Sequence, residues 1–300
     1  MKITVLLGGP SAEREISLVS GTAVAKGLRE MGHDVFESDI SPTQLAGLDK
    51  PADVIFPVLH GEFGESGELQ EILEARNLPF VGSGSKASRL GMDKAATKRA
   101  WEAQGLPTPP YEVLKRGEES HRTIAAPCAV KALASGSSID VMICKTQDAA
   151  DAAICDILKK HGEVLIEKFI KGPELTVGLL EEQALAPIRI VPKREFFDYE
   201  AKYKASDTEH RFDTGLPDDI IRRCKELAER ANEIIGARDL ARIDIMLDEA
   251  DQFAPYLLEI NTLPGFTPKS LLPEAAAQAG VAFGPLVDRL ARRAHARGAL

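Results

Sequence analysis

Two apolar rhythms alternate along the first third of the chain. "ITVLL" from Ile3, "DVIFPV" from Asp53 and "LPFV" from Leu78 are short, nearly unbroken apolar runs bounded by Gly, Pro or Asp. Such runs read as strands buried on both faces. "HDVFESDI" reads as a further strand between the first two. A helical pattern capped near Ser11 follows the first strand and is expected to turn Ile16, Val19 and Val24 inward, and "ESGELQEILEARN" supplies a second helix. Strands alternating with helices predict a doubly wound parallel sheet. Ligands collect at the carboxyl ends of the strands in such sheets. Those ends here carry Gly8-Gly9-Pro10, His60-Gly61-Glu62 and Gly82-Ser83-Gly84.

The rhythm changes after "MDKAATKRAWEAQG", a helix that runs into a Pro-rich connection and sets a lobe boundary near Asp93. "PCAVKAL", "SIDVMICKT" and "GEVLIEKFI" read as three strands, with the helix "TQDAADAAICDILKKHG" before the last, giving a mixed α+β lobe over residues 94–173. "PELTVGLLEEQALAPIRIVP" resumes strand alternation and opens a third lobe over 174–300. That lobe continues with the amphipathic helix "PDDIIRRCKELAERANEIIG", the hairpin "RIDIML…YLLEIN" and two closing helices. The fold class predicted is α/β, with a parallel-sheet lobe over residues 1–93 followed by two mixed lobes.

Composition changes this picture little. With 44% hydrophobic and 28% charged residues the chain is globular, and its net charge of −9 without a basic run argues against nucleic acid as a partner. The cysteines Cys128, Cys144, Cys155 and Cys224 form no Cys-x-x-Cys pair and have no His at ligand spacing, so they are expected as buried free thiols in a reducing compartment. No stretch approaches the roughly 20 apolar residues of a membrane span, and a cytoplasmic protein is expected. "GGPSAE" is not Gly-x-Gly-x-x-Gly, and Gly-x-x-x-x-Gly-Lys-Ser/Thr is absent.

The hairpin carries the first candidate chemistry. Side chains two apart on a strand share a face, so Glu259 and Asn261 project together, as do Arg242 and Asp244. Antiparallel pairing through "DEADQFAP" would bring Asp244 to Glu259 and Asn261. Two carboxylates and an amide oxygen suit Mg²⁺, which prefers oxygen ligands and shares substrate phosphates. The alternative is a solvated sheet face on which Arg242 is an ordinary ion-pair partner. "VKALASGSSID" places Lys131 at a strand end before a small-residue turn whose backbone could approach an anion. Lys94 opens a helix, where the dipole opposes a cation, unless the ammonium reaches out to phosphate. "REFFDYEAKYKASD" groups Phe196, Phe197, Tyr199 and Tyr203 with Lys and Glu and no regular period, as expected of a loop covering a site.

Together these segments resemble the D-alanine–D-alanine ligases of the ATP-grasp superfamily over essentially the whole chain. The blocks that carry the resemblance are "LLGGPSAEREISL", "LHGEFGESGELQ", "GSGSKASRLGMDK", "VLIEKFIKGPELTV", "FFDYEAKY", "RIDIMLD" and "LEINTLPGFTPKSLLP". The resemblance implies ATP clamped between the second and third lobes, two Mg²⁺ (or Mn²⁺) ions on its phosphates, D-alanine as the other substrate, and a homodimer serving peptidoglycan precursor synthesis. It also implies roles. Glu13 would hold the ammonium of the first D-alanine, with Ser137 and Tyr203 nearby; Arg242 and the Gly265 N–H would stabilise the oxyanion. Ser270 and the Leu271 N–H would receive the second carboxylate, with His60 near it. Lys94, Lys131 and Lys202 would contact phosphates. Glu167 and the Phe169–Ile170 backbone would read adenine and Glu174 the ribose. Asp244, Glu259 and Asn261 would hold the metals. Tyr203 rather than Phe implies a dipeptide product. One block departs from the family pattern: Ala132 replaces Pro, Ser135 an acid and Asp140 a Gly, and Asp140 is expected to stand near the triphosphate and repel it.

Overall fold

A computed structural model describes residues 1–134, 140–192 and 208–299. Its first sheet comprises β1 (Lys2–Leu7), β2 (Asp34–Asp39) and β3 (Val54–Pro57), all parallel in the order β2-β1-β3. "LPFV" adds only a single parallel bridge, Ile55 to Phe80, rather than a full fourth strand. The Pro before Phe80 lacks an N–H for the ladder.

Helix α1 (Arg14–Glu30) lies on this sheet through Ser17, Ser20, Gly21, Val24 and Leu28. The expected inward face was wrong by about half a turn at Val19, which is 62% exposed. The small residues decide the orientation. A Cβ on Gly21 would stand 2.5 Å from Leu7 Cβ, so the helix sits close against β1 and shows its bulkier Val19 outward. Helices α2 (Glu62–Glu65), α3 (Glu68–Ala75) and α4 (Ser85–Met92) follow, the last of these not expected from the pattern. One face of the sheet is covered by Phe63, Leu69, Leu73 and Phe80.

Asp93 caps α5 (Lys94–Ala103) by accepting from the Ala96 N–H. The second sheet, order β4-β7-β5-β6, joins β4 (Tyr111–Lys115), β5 (Cys128–Lys131), β6 (Val141–Cys144) and β7 (Glu163–Lys168), all antiparallel; β4 is one strand more than the three expected. Helix α6 (Gln147–His161) closes its core with Ala153, Ile154, Ile157 and Leu158. Three of the four cysteines are buried, but Cys155 is exposed on α6; all four are free thiols.

The third sheet is built from β8 (Glu174–Leu180), β9 (Gln183–Ala184), β10 (Ile188–Pro192), β11 (Thr208–Arg211), β12 (Leu240–Asp248) and β13 (Ala254–Asn261), in the order β11-β10-β8-β12-β13 with β9 beside β8. Helix α7 (Asp218–Ile235) packs on it, and Trp101 and Leu106, from the segment just after Asp93, lie in this core rather than in that of the second sheet. Helices α8 (Leu271–Gln278) and α9 (Phe283–Arg297) turn back to the first sheet, where Leu286, Val287 and Leu290 meet Ile3, Val5 and Val24.

A buried carboxylate fastens this return. Asp239, with no exposed surface, accepts from Arg297 at 2.6 and 2.9 Å, from Arg293 at 3.2 Å and from the Gly82 N–H at 2.8 Å. Asp239→Asn keeps the shape and tolerates the left-handed φ of 64°. It is expected to destabilise the fold by about 2–3 kcal/mol, less than a fully buried broken pair because both arginines reach solvent. An unchanged urea midpoint would contradict this role for the carboxylate.

Candidate active site

The β12–β13 hairpin forms as expected. Arg242 stands opposite Asn261 and Asp244 opposite Glu259, so all four share one face, while Ile243, Ile245 and Leu257 are fully buried on the other. A bulge follows between Asp244 and Ile245, where Leu258 is the extra residue on β13. Bulges terminate regular pairing and re-aim side chains. Asp244 accepts from Arg242 Nε at 3.0 Å, from Arg242 Nη2 at 2.8 Å and from Thr176 Oγ1 at 2.6 Å. Lys94 Nζ lies 3.7 Å from Glu259. Both readings of the hairpin face therefore meet here: Arg242 is an ion-pair partner, and the acids still stand side by side.

Among the described residues no three His, Cys, Asp or Glu side chains form a metal-binding group. The third donor expected here is the amide of Asn261, whose Oδ1 accepts from the Leu263 N–H at 3.0 Å and keeps a second lone pair. Two adjacent carboxylates plus an amide oxygen are hard donors that fit Mg²⁺.

Beyond β13 the chain turns at Pro264-Gly265 and enters α8. Arg242, Pro264, Gly265, Thr267, Ser270 and Leu271 line a cavity of about 370 Å³, which is lined as well by Glu15, Ile16 and Val19 of α1 and by His210. Val19, turned outward from the core, is one of the residues that wall this cavity. Gly265 has no positive φ, and a Cβ there would make ordinary contact with Ser270 Oγ at 3.4 Å, so neither strain nor crowding demands glycine at this position. Ser270 is the N-cap of α8, with its hydroxyl 2.9 Å from the Thr267 N–H, and Leu271 is the first helical residue. The N–H groups of a helix's first turn have no partner inside their helix, and Leu271 and Leu272 of that turn in α8 line the cavity.

The second sheet contributes a buried charge cluster. Glu167, 1% exposed, is paired with Lys131 on one oxygen and with Lys98 on the other, at 2.5 Å for the latter. Burial would raise the Glu167 pKa, but Lys131 and Lys98 hold it below the usual carboxylate range. Burial opposes the charge of Lys131 too, yet Glu167 carries its pKa above the ordinary value; for Lys98 burial wins and lowers it. Lys98 was not anticipated. Its one signal is the spacing Ala95, Lys98, Trp101 on a single helix face, all buried.

Of the other expected residues, Glu13 is 4% exposed at the N-cap of α1. His60 is equally buried, with Nδ1 3.6 Å from Glu65 and Nε2 without a hydrogen-bond partner among the described residues. The Phe169 N–H donates to the Pro127 carbonyl at 3.3 Å, and Ile170 is buried beside it. Glu174 is half-buried at the start of β8, opposite Met246. Ser137, Lys202, Tyr203 and the aromatic segment around it lie outside the described residues.

Asp140 corrects the sequence expectation. It takes the left-handed φ of 56° that a Gly would adopt, and its carboxylate turns to the end of α6, 3.1 Å from Lys160 and 2.8 Å from His161. Burial would raise its pKa, but these two partners hold it below the usual value. Its charge is neutralised locally rather than offered to a triphosphate.

Residues 37–83 match the family model described as "D-ala D-ala ligase N-terminus", and residues 100–292 match "D-ala D-ala ligase C-terminus". The chain belongs to the D-alanine–D-alanine ligase family. Relatives named D-alanine–D-alanine ligase include one from Geotalea uraniireducens, 41% identical over 96% of this chain and 94% of its own length. Another, from Gluconobacter oxydans, is 42% identical over 99% of this chain and all of the relative. The solved D-alanine–D-alanine ligase of Bacillus anthracis complexed with ATP superposes with a TM-score of 0.84 at 28% identity, covering 99% of this chain and 98% of that one. The family's α/β architecture, a parallel sheet followed by antiparallel sheets, is the one found here.

Proposed function

We propose that the chain joins two D-alanines into D-alanyl-D-alanine, with ATP converting the first carboxylate into an acyl phosphate and ADP and phosphate as the other products. A carboxylate at neutral pH is a poor electrophile, and phosphorylation turns one of its oxygens into a leaving group. The observation that carries this reading is the cavity in which Arg242, Gly265, Ser270 and the start of α8 converge beside the Asp244–Glu259 pair.

In this reading Glu13 holds the ammonium of the first D-alanine. The carboxylate oxygen of that D-alanine attacks the γ-phosphorus, and ADP departs. Lys94, Lys131 and Lys202 hold the phosphates, with Glu167, Ile170 and Glu174 at the adenosine. The second D-alanine places its carboxylate on Ser270 and the Leu271 N–H, as the first turn of a helix favours an anion. Its free amine attacks the acyl carbon, and the negative charge that grows on the carbonyl oxygen falls between the Arg242 guanidinium and the Gly265 N–H. The amine nitrogen gives up one proton to the departing phosphate, and the peptide bond remains. Asp244, Glu259 and Asn261 would hold two Mg²⁺, which when bound neutralise charge on the transferring phosphoryl group. Positioning and electrostatic stabilisation supply the rate.

ATP as a substrate and four free thiols fit a cytoplasmic setting, and no described helix is long and apolar enough to cross a membrane. The homodimer belongs to the same reading on the strength of the family resemblance. Phosphate release from MgATP, measured with and without D-alanine and across D- and L-amino acids, tests the proposal. Release that depends on D-alanine, with the dipeptide as product, is expected; release driven by a different amino acid, or none, would reject it.

A further inference from the structure

Lys98 has no assigned part in this reaction, yet it is among the most deeply buried cations in the molecule. It has no exposed surface. Its ammonium is ion-paired with Glu167 Oε1 at 2.5 Å and donates to Thr108 Oγ1 at 2.6 Å and to the Leu257 carbonyl at 3.5 Å. These come from the second sheet, the Pro-rich connection and β13 of the third sheet, so Lys98 is fixed where the two ATP-grasp sheets join. The connection is itself bonded on both sides, by Leu257 N–H to the Pro107 carbonyl at 2.9 Å and Lys168 N–H to the Pro110 carbonyl at 2.8 Å.

Lys131 is placed differently. It ends β5, immediately before the small-residue turn, and among the described residues its ion pair is with the second oxygen of Glu167. One carboxylate thus serves two lysines. A Lys131 that contacts phosphate must leave Glu167, and its departure would strand a carboxylate with 2% side-chain exposure if nothing else neutralised it. An uncompensated buried charge is strongly unfavourable. Lys98 removes that obstacle, because it remains on Glu167 when Lys131 departs.

We infer that Lys98 is a positioning residue for nucleotide binding: by keeping Glu167 paired, it frees Lys131 to move from that carboxylate to the phosphates of ATP. The inference rests on the proposed role of Lys131 as a phosphate ligand. Without Lys98 the Lys131–Glu167 pair locks, and the phosphates lose a cation while the adenosine site keeps its shape.

Binding of MgADP and of adenosine to the full chain, with steady-state kinetics alongside, tests this. Lys98→Met is expected to weaken MgADP at least tenfold and adenosine less than threefold, raising the KM for ATP while kcat at saturating ATP stays within threefold. In a Glu167→Gln background, where no charge remains to be held, Lys98→Met is expected to add less than a threefold loss of MgADP binding. That comparison also serves if the single variant fails to fold. Equal losses for adenosine and MgADP, or a further tenfold loss in the Glu167→Gln background, would assign Lys98 to packing and overturn the inference. Lys131→Met separates the two layers. If it weakens MgADP tenfold while Lys98→Met does not, the inference alone falls; if it leaves MgADP binding unchanged, the phosphate role of Lys131 falls and the inference with it.

Discussion

Glu259→Gln is expected to lower kcat by about 10²–10³, the range seen when one preorganised electrostatic group is removed from a transition state. The fold should survive. Glu259 is partly exposed, at 29% of its side chain, and its 3.7 Å pair with Lys94 is long. Gln fills the same volume, so a stability change under about 1 kcal/mol is expected. The amide keeps one oxygen donor but loses the charge that would draw Mg²⁺ beside Asp244. Raising the Mg²⁺ concentration should therefore recover part of the lost rate. Phosphate release followed across a Mg²⁺ titration, with a thermal melt of the same sample, gives both readouts. Full activity at low Mg²⁺ would remove Glu259 from the metal set, and a collapsed melt would make its role structural.

Arg242→Met should be as damaging to the rate, by about 10²–10³, because in the proposed reaction it deletes a donor to the developing oxyanion. Here stability moves as well. Arg242 donates twice to Asp244, which is 5% exposed and among the described residues would keep only the Thr176 hydroxyl. Breaking a buried pair from one side costs about 3–5 kcal/mol. Arg242→Met with Asp244→Asn removes the stranded charge and should restore most of the melting temperature without restoring turnover. Arg242→Lys should rescue little, since an ammonium cannot reproduce the two-point grip of a guanidinium. If Arg242→Met turns over normally once folded, the oxyanion in this enzyme is held by other groups.

The hairpin was legible from sequence because strand geometry has a period of two, and Arg242, Asp244, Glu259 and Asn261 follow it without an exception that matters. The bulge at Leu258 was not, since one extra residue on β13 leaves the apolar pattern nearly intact. Val19 misled for a physical reason: hydrophobicity ranks it inward, but close packing of α1 on Leu7 selects Ser17, Ser20 and Gly21 for that face. Asp140 misled because its position in the chain is near the turn, whereas its left-handed backbone turns the carboxylate toward Lys160 and His161. Lys98 was invisible because its meaning lies in Glu167, on a strand that reaches it only through tertiary folding. Glu15 and His210 at the cavity wall were likewise unreadable, arriving from α1 and β11, which lie far apart in the sequence.

The return of α9 to the first sheet has a consequence for synthesis on the ribosome. Leu286, Val287, Leu290 and Ala294 complete a hydrophobic layer begun by Ile3, Val5, Val24 and Phe56. A chain is made from its amino end, so this layer stays open until nearly every other residue has emerged, and the apolar side of β1 and α1 must wait in contact with solvent or a chaperone. Ribosome-stalled chains ending before Phe283 should therefore be protease-sensitive in their opening segment, although that segment is the first to leave the exit tunnel.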